Sequence, residues 1–407
     1  MKVKMRFLPI VVLAILFSSA MAKTDNRIVL TESESQAHLN SASDEQWQLQ
    51  MIKAQFAWDM GAYGNGVNVA VIDTGCNPHE DINLAGGYNF ILNNEDYSDN
   101  HGHGTHIAGL ISAVHNKTGI DGAAPKANIY ALKCIDPNYV IDEKVLAAAI
   151  YAAVDKYKCK VINMSIGILK DEDGLLYEAV KYASDSGVII VAAAGNDGND
   201  NYNKSRMYYP AVYNEVIGVG SVGITKKRSD FSQQNDSVFV AAPGENCKST
   251  VGTTEYDIKS GTSQATPFVA AAAAILFSAD ENMTTDEFKN YIIKCSEPIE
   301  DEYCGYGLLN IEGMFKACIG KTDFYVSPIN KDGVIIYNNS DELLNATGIF
   351  AEYKDYGCAL ADVCCIRLLP HDKIKINNCN IGENTKFFLW DENKFLKPLA
   401  KSRKGEF

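Results

Sequence analysis

The chain has 407 residues, 46% of them hydrophobic, and its 51 acidic and 37 basic residues give a formal net charge of −14. This apolar content supports a folded core and excludes an intrinsically disordered chain, while the length indicates more than one domain. The negative charge argues against nucleic acid or an anionic membrane as a partner, because both are polyanions.

Residues 1–22 have the pattern of a secretory signal peptide. Three basic residues in the first six positions precede an apolar run at 7–17, and Ala20-Met21-Ala22 is a small-residue cleavage site. The run is too short to span a bilayer; an uncleaved anchor is the alternative interpretation. We expect a secreted, extracellular protein without stable membrane insertion after removal of this peptide, when the formal charge becomes −17 (−14 − 3). The polar segment 23–42 is interpreted as a short linker or a vestigial propeptide.

The first strong strand signal is the β-branched, apolar run at 67–72, which ends in Asp73-Thr74-Gly75. Its nearly continuous apolar character predicts a buried parallel strand with Asp73 at the carboxyl end. In open α/β sheets, binding sites form at that end of the strands. Many strands end in Asp, so the motif alone is a weak signal.

His103-Gly104-Thr105-His106 follows 30 residues after Asp73 and opens a helix-like run at 107–113. A histidine at the start of a helix can act as a general base, but a single histidine more often has a structural role. Beyond it, strand-like and helix-like segments alternate, which predicts a parallel sheet covered by helices on both faces. The predicted strands are 127–134, 161–165, 188–193 and 216–222, and the predicted helices are 142–157 and 175–186.

Two further segments carry polar side chains next to predicted regular elements. The strand at 188–193 leads into Gly195-Asn196, where the Asn196 amide can donate a hydrogen bond to an oxyanion. Ser263 follows the turn residues Ser260-Gly261-Thr262 and is expected at the start of an Ala-rich buried helix, with Pro267 in the first turn of that helix. The positive end of that helix favours negative charge developing beside the serine. Ser263 as a simple helix cap is the alternative.

Together these four motifs resemble those of the subtilisin-like serine peptidases, the subtilases, and they occur in the same order. The resemblance implies that Ser263 is the nucleophile, His103 the general base and Asp73 the carboxylate that orients it. Asn196 and the Ser263 N–H would form the oxyanion hole. It also implies a three-layer α/β fold with a mostly parallel sheet over residues 43–317. Secreted subtilases usually carry a folded pro-domain, for which the segment 23–42 is too short.

The substrate-binding backbone is carried over from the same resemblance. One wall of the main specificity pocket would be formed by Ser165, Ile166 and Gly167, and the other by Ala193, Ala194 and Gly195. An extended peptide would bind between them by adding a strand. Asp197, near the rim, suggests tolerance of a basic or polar side chain, unless its carboxylate is simply solvated.

The loop 114–120 matches a calcium-binding loop of the family. A structural Ca²⁺ ion would be held by the Asp81 carboxylate, the Asn116 amide oxygen and three backbone carbonyls, those of Val114, Thr118 and Ile120. A surface turn, which Asn and Gly also favour, is the alternative. No catalytic cofactor is expected.

Residues 323–407 show short strand-like runs at 334–337, 346–353, 373–376 and 386–390, separated by turn residues. This pattern predicts a small C-terminal all-β sandwich. We therefore expect a monomeric, secreted serine endopeptidase that acts on protein or peptide substrates. The alternatives are a catalytically silent subtilase scaffold that binds a partner or a surface, and a peptidase dedicated to processing one leader sequence.

Overall fold

In the computed structural model of the protein, the described residues are 46–136, 141–171, 173–330, 333–354, 357–377, 384–391 and 403–404. The predicted signal peptide and the polar segment 23–42 lie outside them.

The first part of the chain alternates strands and helices and ends in three consecutive helical segments. In chain order its elements are α1 (Trp47–Met51), α2 (Gln55–Asp59), β1 (Asn68–Asp73), β2 (Leu84–Asn89), α3 (His103–Ser112), β3 (Asn128–Lys133), α4 (Glu143–Asp155), β4 (Val161–Met164), α5 (Leu175–Asp185), β5 (Ile189–Ala193), β6 (Val216–Val222), β7 (Val240–Pro243), β8 (Cys247–Val251), β9 (Glu255–Lys259), α6 (Thr262–Ala279), α7 (Thr285–Cys295), a 3₁₀ turn (Glu302–Cys304) and α8 (Ile311–Ile319).

Seven of these strands form one sheet in the order β2-β3-β1-β4-β5-β6-β7, and all neighbouring pairs are parallel. Both faces of the sheet are buried, which explains the continuous apolar strands. Along β1, Val69 and Val71 point into one core, while Ala70 and Ile72 point into the other. The predicted α/β class with a parallel sheet is therefore confirmed.

Helices cover the sheet on both sides and complete the three layers. The core on one face contains the buried residues of α3, α6, α7 and α8, and the core on the other face contains those of α4 and α5. Among the described helices, α6 has the length and apolar composition that crossing a bilayer would require. All of its residues are buried inside the fold, as expected for the central helix of a core.

The structure corrects the predicted position of Pro267. Helix α6 begins at Thr262, so Pro267 is its sixth residue and lies in the second turn. Proline has no N–H to offer the carbonyl four residues earlier, which is that of Ser263. The Ser165 hydroxyl donates to this carbonyl instead, at 2.8 Å. Because of Pro267, the Ser263 carbonyl is available for this hydrogen bond, which joins the residue after β4 to the first turn of α6.

The last part of the chain consists of strands: β10 (Phe324–Val326), β11 (Val334–Asn338), β12 (Leu344–Lys354), β13 (Gly357–Leu368), β14 (Lys373–Ile376), β15 (Thr385–Asp391) and β16 (Arg403–Lys404). They form two sheets, β10-β11-β14 and β13-β12-β15-β16, with antiparallel neighbours. Ile336 from one sheet and Phe350 and Leu389 from the other share a core, as in a sandwich. Tyr325 packs into the core beneath α8, and the Lys373 ammonium donates to the Asp59 carbonyl at 3.2 Å.

Candidate active site

Asp73 and His103 form a buried hydrogen-bonded pair at the carboxyl edge of the sheet. Asp73 ends β1 and His103 begins α3, and their side chains are 0% and 2% exposed. His103 Nδ1 lies 2.7 Å from Asp73 Oδ1, which also accepts the Thr74 N–H at 2.7 Å. A carboxylate in this position favours the imidazole tautomer with its proton on Nδ1, in which Nε2 carries the lone pair that a base requires.

The close approach of α3 to the end of β1 requires a glycine at position 104. A Cβ atom at Gly104 would lie 2.1 Å from the Gly75 carbonyl oxygen and 3.1 Å from Asp73 Cβ. The Gly104 N–H donates to the Thr74 hydroxyl at 2.9 Å. The residues that follow Asp73 and His103 in the two motifs therefore hold these two side chains within hydrogen-bonding distance.

Ser263 is the second residue of α6 and is 6% exposed. Its N–H belongs to the first helical turn, where backbone donors have no partner within the helix. In this structure its hydroxyl donates to the Ser165 carbonyl at 2.9 Å. Ser263 lines a pocket together with Asn196, at the same edge of the sheet as the buried pair.

Asn196 follows β5, and its side-chain orientation is set by Thr262. The Thr262 N–H and hydroxyl donate to Asn196 Oδ1 at 2.8 and 3.0 Å. Two donors on the oxygen assign the amide so that its NH₂ group is the end not bonded to Thr262. Because Asn196 lines the pocket beside Ser263, this NH₂ group is a donor suited to an oxyanion.

Residues from both predicted pocket walls line one cavity, although not every residue named for them does. The pocket is lined by Ile166, Gly167, Ala193 and Gly195, together with residues 196, 208, 262 and 263. Ser165 is instead buried against α6, where it bonds to Ser263. Ala194 is also fully buried, and its N–H donates to the Val219 carbonyl at 3.0 Å.

Tyr208 is a pocket residue that the sequence analysis missed. Its side chain is buried and its hydroxyl donates to Asp197 Oδ2. Burial, followed by this hydrogen bond to a carboxylate, raises the pKa of the Tyr208 phenol well above its usual value. The Asp197 carboxylate is therefore engaged by a buried phenol and is not simply solvated at the rim. Tyr208 lies in a polar loop with no motif of its own, so no sequence signal identified it.

His106, the second histidine of its motif, has a structural position. Its Nε2 donates to the carbonyl oxygens of Cys247 at 3.0 Å and Asp257 at 3.3 Å, which ties α3 to the β8–β9 hairpin. Complete burial, helped by the nearby charges of Lys259 and His103, lowers the pKa of His106 to about 3. The imidazole is therefore neutral at physiological pH.

The candidate calcium loop wraps closely around one buried carboxylate. Asp81 Oδ1 accepts the Asn116 amide at 2.8 Å, and Oδ2 accepts the Ile120 N–H at 3.1 Å and the Tyr256 hydroxyl at 2.9 Å. The Asn116 oxygen accepts the N–H and hydroxyl of Thr118 at 2.8 and 2.7 Å, and the Val114 carbonyl accepts the Asn116 N–H at 2.8 Å.

These residues fit calcium in their chemistry, because a carboxylate, an amide and carbonyls are the hard oxygen ligands that this ion prefers. Asn116 now presents its nitrogen to Asp81. A 180° flip of the amide would direct its oxygen toward a bound ion, and the hydrogen bonds from Thr118 would be lost.

Comparison with known proteins agrees with this arrangement. The model of the subtilase family, Peptidase_S8, matches residues 64–307. Among solved structures, a protease from Pseudoalteromonas arctica PAMC 21717 superimposes with a TM-score of 0.61 at 29% identity, covering 68% of this chain and 97% of that one. The chain therefore belongs to the subtilase family of serine endopeptidases, as the four motifs predicted.

The curated relatives differ in where they act and in how much of them is matched. The minor extracellular protease Epr of Bacillus subtilis is 40% identical over 269 residues, which are 65% of this chain and 41% of Epr. Subtilisin DY of Bacillus licheniformis is 36% identical over 264 residues, covering 64% of this chain and 95% of that protein. The major intracellular serine protease of B. subtilis is 40% identical over 241 residues, covering 57% and 75%. The chain thus spans less than half of Epr, and its relatives include extracellular and intracellular enzymes.

Proposed function

We propose that the protein is a secreted endopeptidase in which Ser263 is the nucleophile, His103 the general base and Asp73 the carboxylate that orients it. The observation that carries this proposal is the buried His103–Asp73 hydrogen bond of 2.7 Å at the same edge of the sheet as a pocket that contains Ser263 and Asn196. Burying two titratable groups costs desolvation free energy, so such a pair at the edge of a cleft favours a catalytic role.

In the proposed reaction, Ser263 Oγ attacks the scissile carbonyl carbon while His103 Nε2 accepts the hydroxyl proton. Asp73 stabilises the resulting imidazolium, and the Asn196 amide and the Ser263 N–H donate to the oxyanion of the tetrahedral intermediate. His103 then gives the proton to the departing amine as the C–N bond breaks. Water, activated by His103, releases the carboxylic acid from the acyl-enzyme and restores the Ser263 hydroxyl.

The Ser263 hydroxyl has to turn before it can react. It has a single proton, which it now donates to the Ser165 carbonyl at 2.9 Å. The proposed reaction requires rotation about the Cα–Cβ bond that redirects this proton toward His103 Nε2. Catalytic hydrogen bonds often tighten only when substrate binds, so the bond to Ser165 represents a resting arrangement.

Labelling with a fluorophosphonate probe tests the assembled triad without assuming a substrate. The probe forms a bond from phosphorus to an activated serine oxygen and expels fluoride. We expect labelling of the wild type and of Ser278→Ala, a matched control in the same helix, and none of Ser263→Ala or His103→Ala. A folded wild type that fails to label would favour the silent-scaffold alternative.

We also propose export of the protein and extended peptides as its substrates. Export is supported by the signal-like segment 1–22, and the peptide mode by two pocket walls made of strand-end backbone at 166–167 and 193–195. Recovery of a form lacking residues 1–22 from the medium would support export. Cleavage of a general protein substrate such as casein would argue against processing of one leader sequence.

Calcium binding to the loop 114–120 is a separate proposal. Its support is the chemistry of the ligands, in particular the buried Asp81 carboxylate, which contacts Asn116 and Ile120 of the loop. The ion would be held by Asp81, by the Asn116 amide oxygen and by the carbonyls of Val114, Thr118 and Ile120. Its role would be to stabilise the loop and not to take part in peptide hydrolysis.

A further inference from the structure

The Tyr208 ring lies between the two walls of the specificity pocket. A Cβ atom at Gly195 would lie 2.5 Å from Tyr208 Cδ2, and one at Gly167 would lie 3.3 Å from Cδ1. The two glycines, one in each wall, therefore lie against the same side chain, Gly195 next to Cδ2 and Cε2 and Gly167 next to Cβ, Cγ and Cδ1. Tyr208 therefore occupies part of the space between the walls, in which a substrate side chain would be inserted.

Several contacts hold this ring in place. The side chain is 2% exposed and its hydroxyl donates to Asp197. The Asp197 N–H in turn donates to Gln233 Oε1 at 2.9 Å. The neighbouring Tyr209 exchanges two backbone hydrogen bonds of 2.8 Å with Ile168, just beyond the first wall. Moving the ring out of the pocket would break the hydrogen bond to Asp197 and expose a buried aromatic side chain, and the backbone on both sides of the ring is fixed by the other bonds, so a substrate side chain does not displace it readily.

We propose that Tyr208 determines specificity by closing the depth of the pocket, so that the residue before the scissile bond must be small and uncharged, such as Ala. This inference rests on the proposed function. The other residues that line the pocket carry no charge: Ile166, Gly167, Ala193, Gly195, Asn196, Thr262 and Ser263. Asp197, the nearby carboxylate, is bonded to the Tyr208 hydroxyl and does not serve as a partner for a basic side chain.

The first measurement is the wild-type preference among peptides that differ only in the residue before the cut. We expect kcat/KM for Ala to exceed that for Phe and for Lys by at least about tenfold, since excluding a side chain from a closed pocket is worth one to two orders of magnitude. Equal rates for Ala and Phe would overturn the proposal, and this test depends on no variant.

Three variants separate the ring from its hydroxyl. Tyr208→Ala should raise kcat/KM for Phe by about 10- to 100-fold while changing that for Ala by less than about threefold. Tyr208→Phe keeps the ring and should keep the preference for Ala. Tyr208→Ala should also admit Lys beside the uncovered Asp197, and the further change Asp197→Asn should remove that gain. Parallel changes for all substrates in Tyr208→Ala would contradict a role in specificity.

A binding measurement distinguishes failure of this proposal from failure of the proposed catalysis. In a Ser263→Ala background, product-like peptides ending in Ala or Phe are titrated by calorimetry with Tyr208 present or replaced by Ala. When Tyr208 is present, we expect the Ala peptide to bind more tightly than the Phe peptide. When Tyr208 is replaced by Ala, we expect the Phe peptide to gain affinity. This outcome does not depend on turnover, whereas absence of fluorophosphonate labelling concerns the triad alone.

Discussion

Asp99 Oδ2 accepts both the N–H and the hydroxyl of Thr105, at 2.9 and 2.7 Å. Its other oxygen accepts the Thr74 hydroxyl and the Gly102 N–H at 2.9 and 2.8 Å. One buried carboxylate thus joins the turn after Asp73 to the first turn of the helix that carries His103. Burial alone would raise the pKa of Asp99, but the hydrogen bonds from Thr105, Gly102 and Thr74 outweigh it and hold that pKa below its usual value.

Asp99→Asn should reduce both stability and activity. Its NH₂ group would face donors where Asp99 now has an acceptor, which costs about 1–3 kcal/mol in free energy of unfolding. The start of α3, which carries His103, would be held less firmly, so kcat should fall by a larger factor than KM rises. Asp236→Asn, the same change at an exposed position, is the control and should behave as the wild type in denaturant unfolding and kinetics.

The effect of Asp99 should also depend on pH. A carboxyl group whose pKa is lowered by folding contributes stability above its unfolded pKa, about 3.9, and loses it as the pH falls through the folded value. The stability difference between wild type and Asp99→Asn should be constant above about pH 5 and shrink below about pH 4. A difference that grows on acidification would contradict this assignment.

Asn196→Ala should lower kcat by about 10²–10³ with a small change in KM, because the lost donor acts on charge that develops only in the transition state. That range was established with a subtilisin. Asn282→Ala, at an exposed turn, should leave kcat unchanged. A loss seen mainly in KM would show that Asn196 binds substrate and not the oxyanion.

Thr262 is expected to position Asn196 without contacting the reacting atoms. Thr262→Val removes the hydroxyl that donates to Asn196 Oδ1 at 3.0 Å but keeps the N–H that donates at 2.8 Å. The loss in kcat should therefore be about tenfold, smaller than for Asn196→Ala. Thr262→Ser, which restores a hydroxyl, should recover most of it. Failure of this rescue would indicate a packing effect of the Thr262 methyl group.

The sheet could be predicted from the sequence where strands are continuously apolar. The predicted strand 216–222 coincides with β6, and the predicted helix 142–157 contains α4. The four motifs also contain the hydrogen-bonded pair Asp73 and His103 and the pocket residues Asn196 and Ser263, which lie at one edge of the sheet. Strands that are buried on both faces need apolar residues throughout, and this produces a pattern that can be recognised in the sequence.

Other features left no local pattern. Strand β2, Leu-Ala-Gly-Gly-Tyr-Asn, is rich in glycine and lies next to β3 at the edge of the sheet. The charged and polar β8–β9 hairpin is specified by its contacts with α3 more than by its own propensity. Asp99 acts through partners 3 to 25 residues away and Tyr208 through a partner 11 residues away, so their roles depend on the folded arrangement.

Calcium should raise the thermal stability of the wild type, since a ligand that binds only the folded state stabilises it by about 2.7 kcal/mol at 100 times its Kd. Asp81→Asn should abolish this response, because Asp81 supplies the carboxylate among the five proposed ligands. Asp121→Asn, beside the same loop and 46% exposed, is the control and should keep the response. Melting should be measured in the Ser263→Ala background to prevent autolysis. An equal calcium response in Asp81→Asn would exclude this loop as the site.

His106→Gln should make the free energy of unfolding less sensitive to acid. The pKa of His106 is about 3 in the folded protein and about 6.5 in the unfolded chain. Above the unfolded value both states are neutral, whereas between the two values only the unfolded state binds the proton, so the wild type loses stability as the pH falls. The variant lacks this term, although it should be less stable at pH 7 because the two carbonyl contacts of Nε2 are altered.

The measurement is urea unfolding of both proteins at several pH values from 7 to 3.5, in the Ser263→Ala background. The wild-type curve should be steeper than that of His106→Gln by up to one proton, about 1.4 kcal/mol per pH unit. His371→Gln, which removes an exposed histidine of the sandwich, controls for the loss of a histidine as such. Equal slopes in the wild type and His106→Gln would mean that the imidazole is protonated without opening the contact between α3 and the β8–β9 hairpin.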